Sequence, residues 1–168
     1  MNALQQWQRC PEFIDVDDQK RSIRLRKQDS RYAIRGTLSD AQRSAVESRL
    51  ADDDVSIVRG QPPSDSGSRF EMLPVYAISA DLAPTVATER IFLCLQEQTT
   101  IDARRDDIDV LGFIIDDIPR HAPHCAWLIP KSGRVDDALS KLDALRALPG
   151  AVRAQPQLLR SRAWKSSS

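Results

Sequence analysis

The sequence predicts an α+β protein: a ferredoxin-like βαββαβ domain over residues 88–160, preceded by a small α+β module over 21–79. Three observations carry the prediction. Residues 90–95 (RIFLCL) form a near-continuous apolar run, the pattern of a strand covered on both faces. Residues 134–148 repeat Val135, Ala138, Leu139, Leu142, Leu145 and Leu148 at helical spacing until Pro149-Gly150 stops the pattern. Around these two, the remaining segments complete the order strand, helix, strand, strand, helix, strand, which is the split βαβ arrangement. In that arrangement the first and third strands are central neighbours and both helices lie on one face.

Taken in order, residues 1–20 show no clear period and are expected to be irregular, although Trp7, Phe13 and Ile14 offer apolar groups. Residues 22–27 (SIRLRK) alternate, with Ile23 and Leu25 on one face, and 31–35 (RYAIR) alternate likewise until Gly36. A helix is expected over 37–51, capped by Thr37 or Ser39, with Leu38, Ala41, Ala45, Val46 and Leu50 at helical spacing. A short strand at 55–58 leads to a Pro/Gly-rich loop at 61–68, then to an extended stretch at 70–78 that Pro74 confines to an edge or a bend. Residues 80–87 read as a linker containing Pro84. In the second half, helices are expected at 100–111 (Ile101, Ile108, Leu111) and 134–148, with strands at 90–95, 113–118, 122–129 and 151–159. Residues 161–168 are expected to be a flexible tail.

The composition narrows the function. Of 168 residues 41% are apolar and 29% charged, which suits a packed domain, and only 5% are aromatic, so the core is aliphatic. Twenty-four Lys and Arg balance 24 Asp and Glu. Nucleic-acid binding draws on excess positive charge, so no nucleic-acid partner is expected. No apolar run reaches the roughly 18 residues a membrane helix needs, and MNALQQWQRCPEF lacks the basic start and apolar stretch of a signal peptide. The expectation is a cytoplasmic protein without a membrane partner. An odd count of cysteines, three, fits that compartment.

No catalytic centre assembles from the residue types. The two histidines, His121 and His124, share one turn, PRHAPH, and no GxSxG elbow is present. Asp116, Asp117, His121 and His124 have metal-binding chemistry, but His-x-x-His without a second cluster reads as a solvated turn, so no metal is expected. Phosphate-binding glycine motifs are missing, and no cofactor is expected. Cys94 and Cys125 fall on adjacent central strands of the predicted sheet and can approach each other; as small apolar side chains they are expected to be buried. Phe92 and Trp127 lie on the same two strands, where RNA-binding sheets carry stacking aromatics, but without an RNP-type motif they are expected to pack in the core.

Residues 70–162 carry a series of short motifs: FEMLPVYAI at 70–78, TERIFLCLQ at 88–96, HAPHCAW at 121–127 and LRALPGAVRAQPQ at 145–157. The upstream stretch RYAIRGTLSDAQRSAVESRL at 31–50 belongs with them. The series resembles the propeptide of bacterial subtilisin-like serine proteases, the subtilases. Arg153 and Gln155 stand where the family has glutamates, Gln157 stands for an asparagine, and none of the protease Asp, His and Ser motifs is present. The resemblance implies a non-enzymatic module that inhibits a subtilisin-like protease or assists its folding, the protease acting in trans or as a missing C-terminal domain. It further implies that the sheet packs on the protease. The C-terminal segment, with Leu158, Leu159, Arg160, Ser161 and Arg162, would then run through the substrate groove by strand addition. The rival expectation is a ferredoxin-like regulatory domain of the ACT kind, or an adaptor, binding a small ligand or another protein.

Overall fold

The computed structural model describes residues 2–18, 21–50, 54–64, 71–79 and 83–160. In chain order these form α1 (Ala3–Arg9), β1 (Phe13–Asp18), β2 (Arg21–Lys27), β3 (Arg31–Arg35), α2 (Asp40–Ser44), β4 (Val46–Leu50), β5 (Val55–Arg59), β6 (Glu71–Leu73), β7 (Val75–Ala77) and β8 (Thr85–Leu95). A 3₁₀ turn (Ile101–Arg104) follows, then α3 (Arg105–Val110), β9 (Phe113–Asp117), β10 (Cys125–Pro130), α4 (Val135–Ser140), α5 (Leu142–Arg146) and β11 (Ala151–Arg160). The chain is therefore a mixed α+β protein whose strands pair largely antiparallel. One set of pairings runs β1-β2-β7-β8-β10-β9, with β11 also on β8, and the other runs β4-β5-β3-β6. Two compact units result: the described residues of 1–14, 24–88 and 158–168, and those of 15–23 and 89–157.

The first unit departs most from expectation. Residues 1–20, expected to be irregular, hold α1 and β1. Helix α1 starts at a reciprocal cap: Gln5 N–H donates to Asn2 Oδ1 (2.9 Å), and Asn2 N–H donates to Gln5 Oε1 (3.1 Å). Its other end is closed by Lys27, whose ammonium donates to the carbonyls of Trp7 and Cys10, each at 3.1 Å. The helix expected over 37–51 is five residues long, α2, capped by Ser39. After Ser44 the chain becomes β4, and Val46 pairs with Val58 of β5. Pairing with β5 outweighs helix propensity here, and the extended segment sets Glu47 against Arg31 at 3.2 Å and Arg59 at 3.4 Å. Of the apolar residues assigned to the helix, Leu38, Ala45 and Val46 pack on Trp7, Tyr32, Ile34, Val58 and Met72 and Leu50 is buried, while Ala41 is exposed. Pro74 splits the extended stretch into β6, paired with β3, and β7, paired with β2 and β8.

In the second unit β8 begins earlier than expected, at Thr85, inside the segment read as a linker. The described strands stand in the order β11-β8-β10-β9. Ile91, Leu93 and Leu95 of β8, Ala126 and Leu128 of β10 and Phe113 of β9 are buried on one side. Helix α3 packs on β9 and α4 on β10, and they bring the buried Ile108, Val135, Ala138 and Leu139. The expected helix at 134–148 is divided at Lys141 into α4 and α5. Ser140 supplies the reason: its hydroxyl donates to the Asp137 carbonyl (2.9 Å), a local bond that competes with the helical ladder. The apolar stripe continues across the joint, since Leu142 and Leu145 are buried too.

Candidate functional site

The other side of the same strands carries different chemistry. Alternation along β8 puts Arg90, Phe92 and Cys94 opposite the buried Ile91, Leu93 and Leu95. The register Trp127↔Phe92 and Cys125↔Cys94 sets Trp127 and Cys125 beside them. On β9, Ile114 pairs with Ile129 and is 54% exposed. Phe92 and Trp127 stack with centroids 4.7 Å apart and planes at 45°, a tilted pair that contributes about 0.5–1.5 kcal/mol beyond its buried area. They are half-buried and lie outside the core, contrary to the packing expected for them.

Arg90 completes this surface. Its guanidinium lies 4.5 Å from the Trp127 ring centroid and donates to Asp116 Oδ2 from Nη2 (2.9 Å) and Nε (3.2 Å). Asp116 reaches it because the β9–β10 register shifts between Trp127 and Leu128. The extra residue of that bulge re-aims the carboxylate. Alternation in the sequence marks which side Arg90 occupies, but a bulge leaves no such periodic trace, so the ion pair was not legible.

Cys94 and Cys125 are directly opposed, with Cα atoms 4.1 Å apart, and the structure joins them by a disulfide. Leu95 N–H donates to the His124 carbonyl (2.8 Å), so the neighbouring position is the hydrogen-bonded one. The cysteines therefore occupy the non-hydrogen-bonded position, where opposed side chains stand closest. Cys125 is 4% exposed and Cys94 half-buried. Bridging positions with a sequence separation of 31 restricts the unfolded chain by roughly 3–4 kcal/mol in the chain-entropy account. The third cysteine, Cys10, is a buried thiol whose Sγ donates to the Gln6 carbonyl.

The structure separates the residues expected to enter a protease groove. Leu158, Leu159 and Arg160 belong to β11, and Leu159 is buried at 9% exposure. Ser161 and Arg162 lie outside the described residues, as does the rest of the expected flexible tail. In the turn after β9, His121 is exposed and His124 half-buried. The His124 carbonyl holds Leu95, and the Pro123 carbonyl accepts from Ile101 N–H (3.0 Å). Among the described residues no group of three or more His, Cys, Asp or Glu side chains converges on a metal-sized site.

Among the described residues, one depression of about 320 Å³ lies beside Thr37, Arg43, Arg49 and Ser56, and another of about 420 Å³ beside Asp15, Asp143 and Arg146. Both have polar, charged walls, unlike the mostly apolar pockets that bury small ligands. In the second, Arg146 is already committed, donating to the Asp15 carbonyl (2.6 Å) and the Ala154 carbonyl (3.0 Å). Nearby in sequence, Asp137 accepts from Ser132 Oγ at 2.6 Å and meets Lys141 Nζ at 3.1 Å. Burial pushes its carboxyl up, but these hydrogen bonds and the charges of Lys141 and Arg134 outweigh that and hold it below the usual value.

Comparison with protein-family models, with curated proteins and with solved structures finds no match for this chain. No helix among the described residues is long and apolar enough to cross a membrane.

Proposed function

We propose that the chain is a non-catalytic binding module of the subtilase-propeptide kind. It inhibits a subtilisin-like serine protease, or assists its folding, by docking the sheet side that carries Phe92, Trp127, Ile114 and Arg90. The sequence from Arg160 onward enters the substrate groove. The strand order β11-β8-β10-β9, with helices on one side, supports a ferredoxin-like arrangement for residues 88–160. The observation that carries the functional reading is the half-buried aromatic pair with Arg90 and the exposed Ile114 on the side away from α3 and α4. Aromatic and arginine side chains of this kind anchor protein interfaces. Part of the same proposal is a cytoplasmic location, where a disulfide is transient rather than permanent.

Titration of the purified chain into a subtilisin-like protease, followed by peptide hydrolysis, tests the reading. Inhibition is expected, weakened about 30-fold or more by Trp127→Ala, the loss typical of an interface anchor. Removing residues 161–168 should weaken it further while leaving Leu159 in its strand. Hydrolysis that is unaffected at any concentration, with no complex on gel filtration, would sink the proposal.

A further inference from the structure

The geometry points to a reversible thiol–disulfide switch at Cys94–Cys125, placed to alter the sheet surface that carries Phe92 and Trp127. This inference does not rest on the protease-binding proposal. Four observations support it. The register opposes the two cysteines directly, in the closest type of antiparallel pair, so the bond forms without displacing a strand. Strands β8 and β10 are already joined through Ala126↔Leu93, Trp127↔Phe92 and Leu128↔Ile91, so they stay paired when the bond opens. Accessibility differs between the partners: Cys94 is half-buried and Cys125 buried, which gives an incoming thiolate one sulfur to attack. Finally, Trp127 stands two residues along β10 from Cys125, roughly 7 Å at strand rise, and Phe92 stands two residues from Cys94 on the facing strand.

The co-reactant is a thiol of the glutathione class. Its thiolate attacks Cys94 Sγ, the Cys94–Cys125 bond breaks, and Cys125 leaves as a thiolate that takes up a proton. A second glutathione thiolate attacks the glutathione sulfur of the mixed disulfide, releasing Cys94, which is protonated in turn. The chain gains two electrons and two protons, and the two glutathiones leave as their disulfide. Oxidation is the same sequence reversed.

The test uses the full chain carrying Cys10→Ser, equilibrated in graded mixtures of reduced and oxidised glutathione. Thiols freed by reduction, acid-quenched and counted by mass after labelling in denaturant, should pass from none to two in one transition, and native-state maleimide should label Cys94 first. Tryptophan fluorescence should rise across the same transition, because the disulfide quenches the nearby indole, and fall again on reoxidation. Far-ultraviolet circular dichroism should not change, and Trp127→Phe should abolish the fluorescence step. Peptide mapping of the unsubstituted chain should identify the same two cysteines. Trapping with Cys125→Ser should yield a single glutathione adduct at Cys94. The inference is overturned if the pair stays oxidised in every mixture unless denaturant is added, or stays reduced in every mixture. Absence of the Cys94 adduct would overturn the order of attack.

Discussion

The two sides of β8 and β10 carry contrasting chemistry. One side carries Ile91, Leu93, Leu95, Ala126 and Leu128, all buried, and the helices that cover it bury Val135, Ala138, Leu139, Leu142 and Leu145 together with one acid, Asp136. The other carries Arg90, Phe92 and Trp127, tied to one another and to Asp116 by stacking, cation–π and ion-pair contacts. The first side is an aliphatic interior, where energy scales with volume and each missing methylene is felt. On the second, geometry matters more than volume. Its non-covalent contacts are each worth about 0.5–1.5 kcal/mol, so apart from the Cys94–Cys125 bond this side adds less to folding than the aliphatic one.

The largest test of this contrast is Leu142→Ala on the helix side. Leu142 is buried, and truncation there should lower the unfolding free energy by about 2–5 kcal/mol, read from the urea midpoint. A neutral result would place the α5 stripe outside the core. On the aromatic side, Phe92→Ala should cost only about 1–2 kcal/mol, since the side chain is half-buried and forfeits one stacking contact. If it destabilised as much as Leu142→Ala, the two sides would be equivalent and the recognition reading would lose its basis. The smallest effect concerns Asp137. Because its folded-state carboxyl is held below the usual value, its contribution is complete above the unfolded pKa near 3.9 and is lost as pH falls through the folded pKa. Asp137→Asn should therefore cost about 1 kcal/mol at pH 7 and almost nothing near pH 2, measured by thermal unfolding at both pH values. A cost that does not depend on pH would assign Asp137 a packing role instead.

The second unit was legible in the sequence because its signals are local. Ile101 and Ile108, the stripe from Val135 to Leu145, and the apolar run RIFLCL each lie within a short stretch of chain, and helical turns or a strand occur there, although the stripe is divided between α4 and α5 and β8 starts at Thr85. The first unit resisted for the opposite reason. Residues 46–50 satisfy a helical period, and only a partner from another part of the chain, Val55–Arg59, turns them into a strand. The capping signals at the N-terminus were in the sequence, in Asn2 and Gln5, but a helix of seven residues is too short for its period to stand out. Within the candidate surface, pattern put Cys94 and Cys125 on neighbouring strands. Register then decided that they face each other, and a bulge decided that Asp116 meets Arg90.

Lys27 has a consequence for the order in which the first unit assembles. A seven-residue helix does not persist alone in water, and α1 closes its C-terminal end with an ammonium group supplied by the last residue of β2. Cys10 N–H caps the Trp7 carbonyl locally, but the two Lys27 bonds become available only once β2 is in place, at a sequence distance that a local nucleus does not span. Helix α1 is then a late arrival in folding and an early departure in unfolding, and its amide hydrogens should exchange with solvent before those of the strand that holds it.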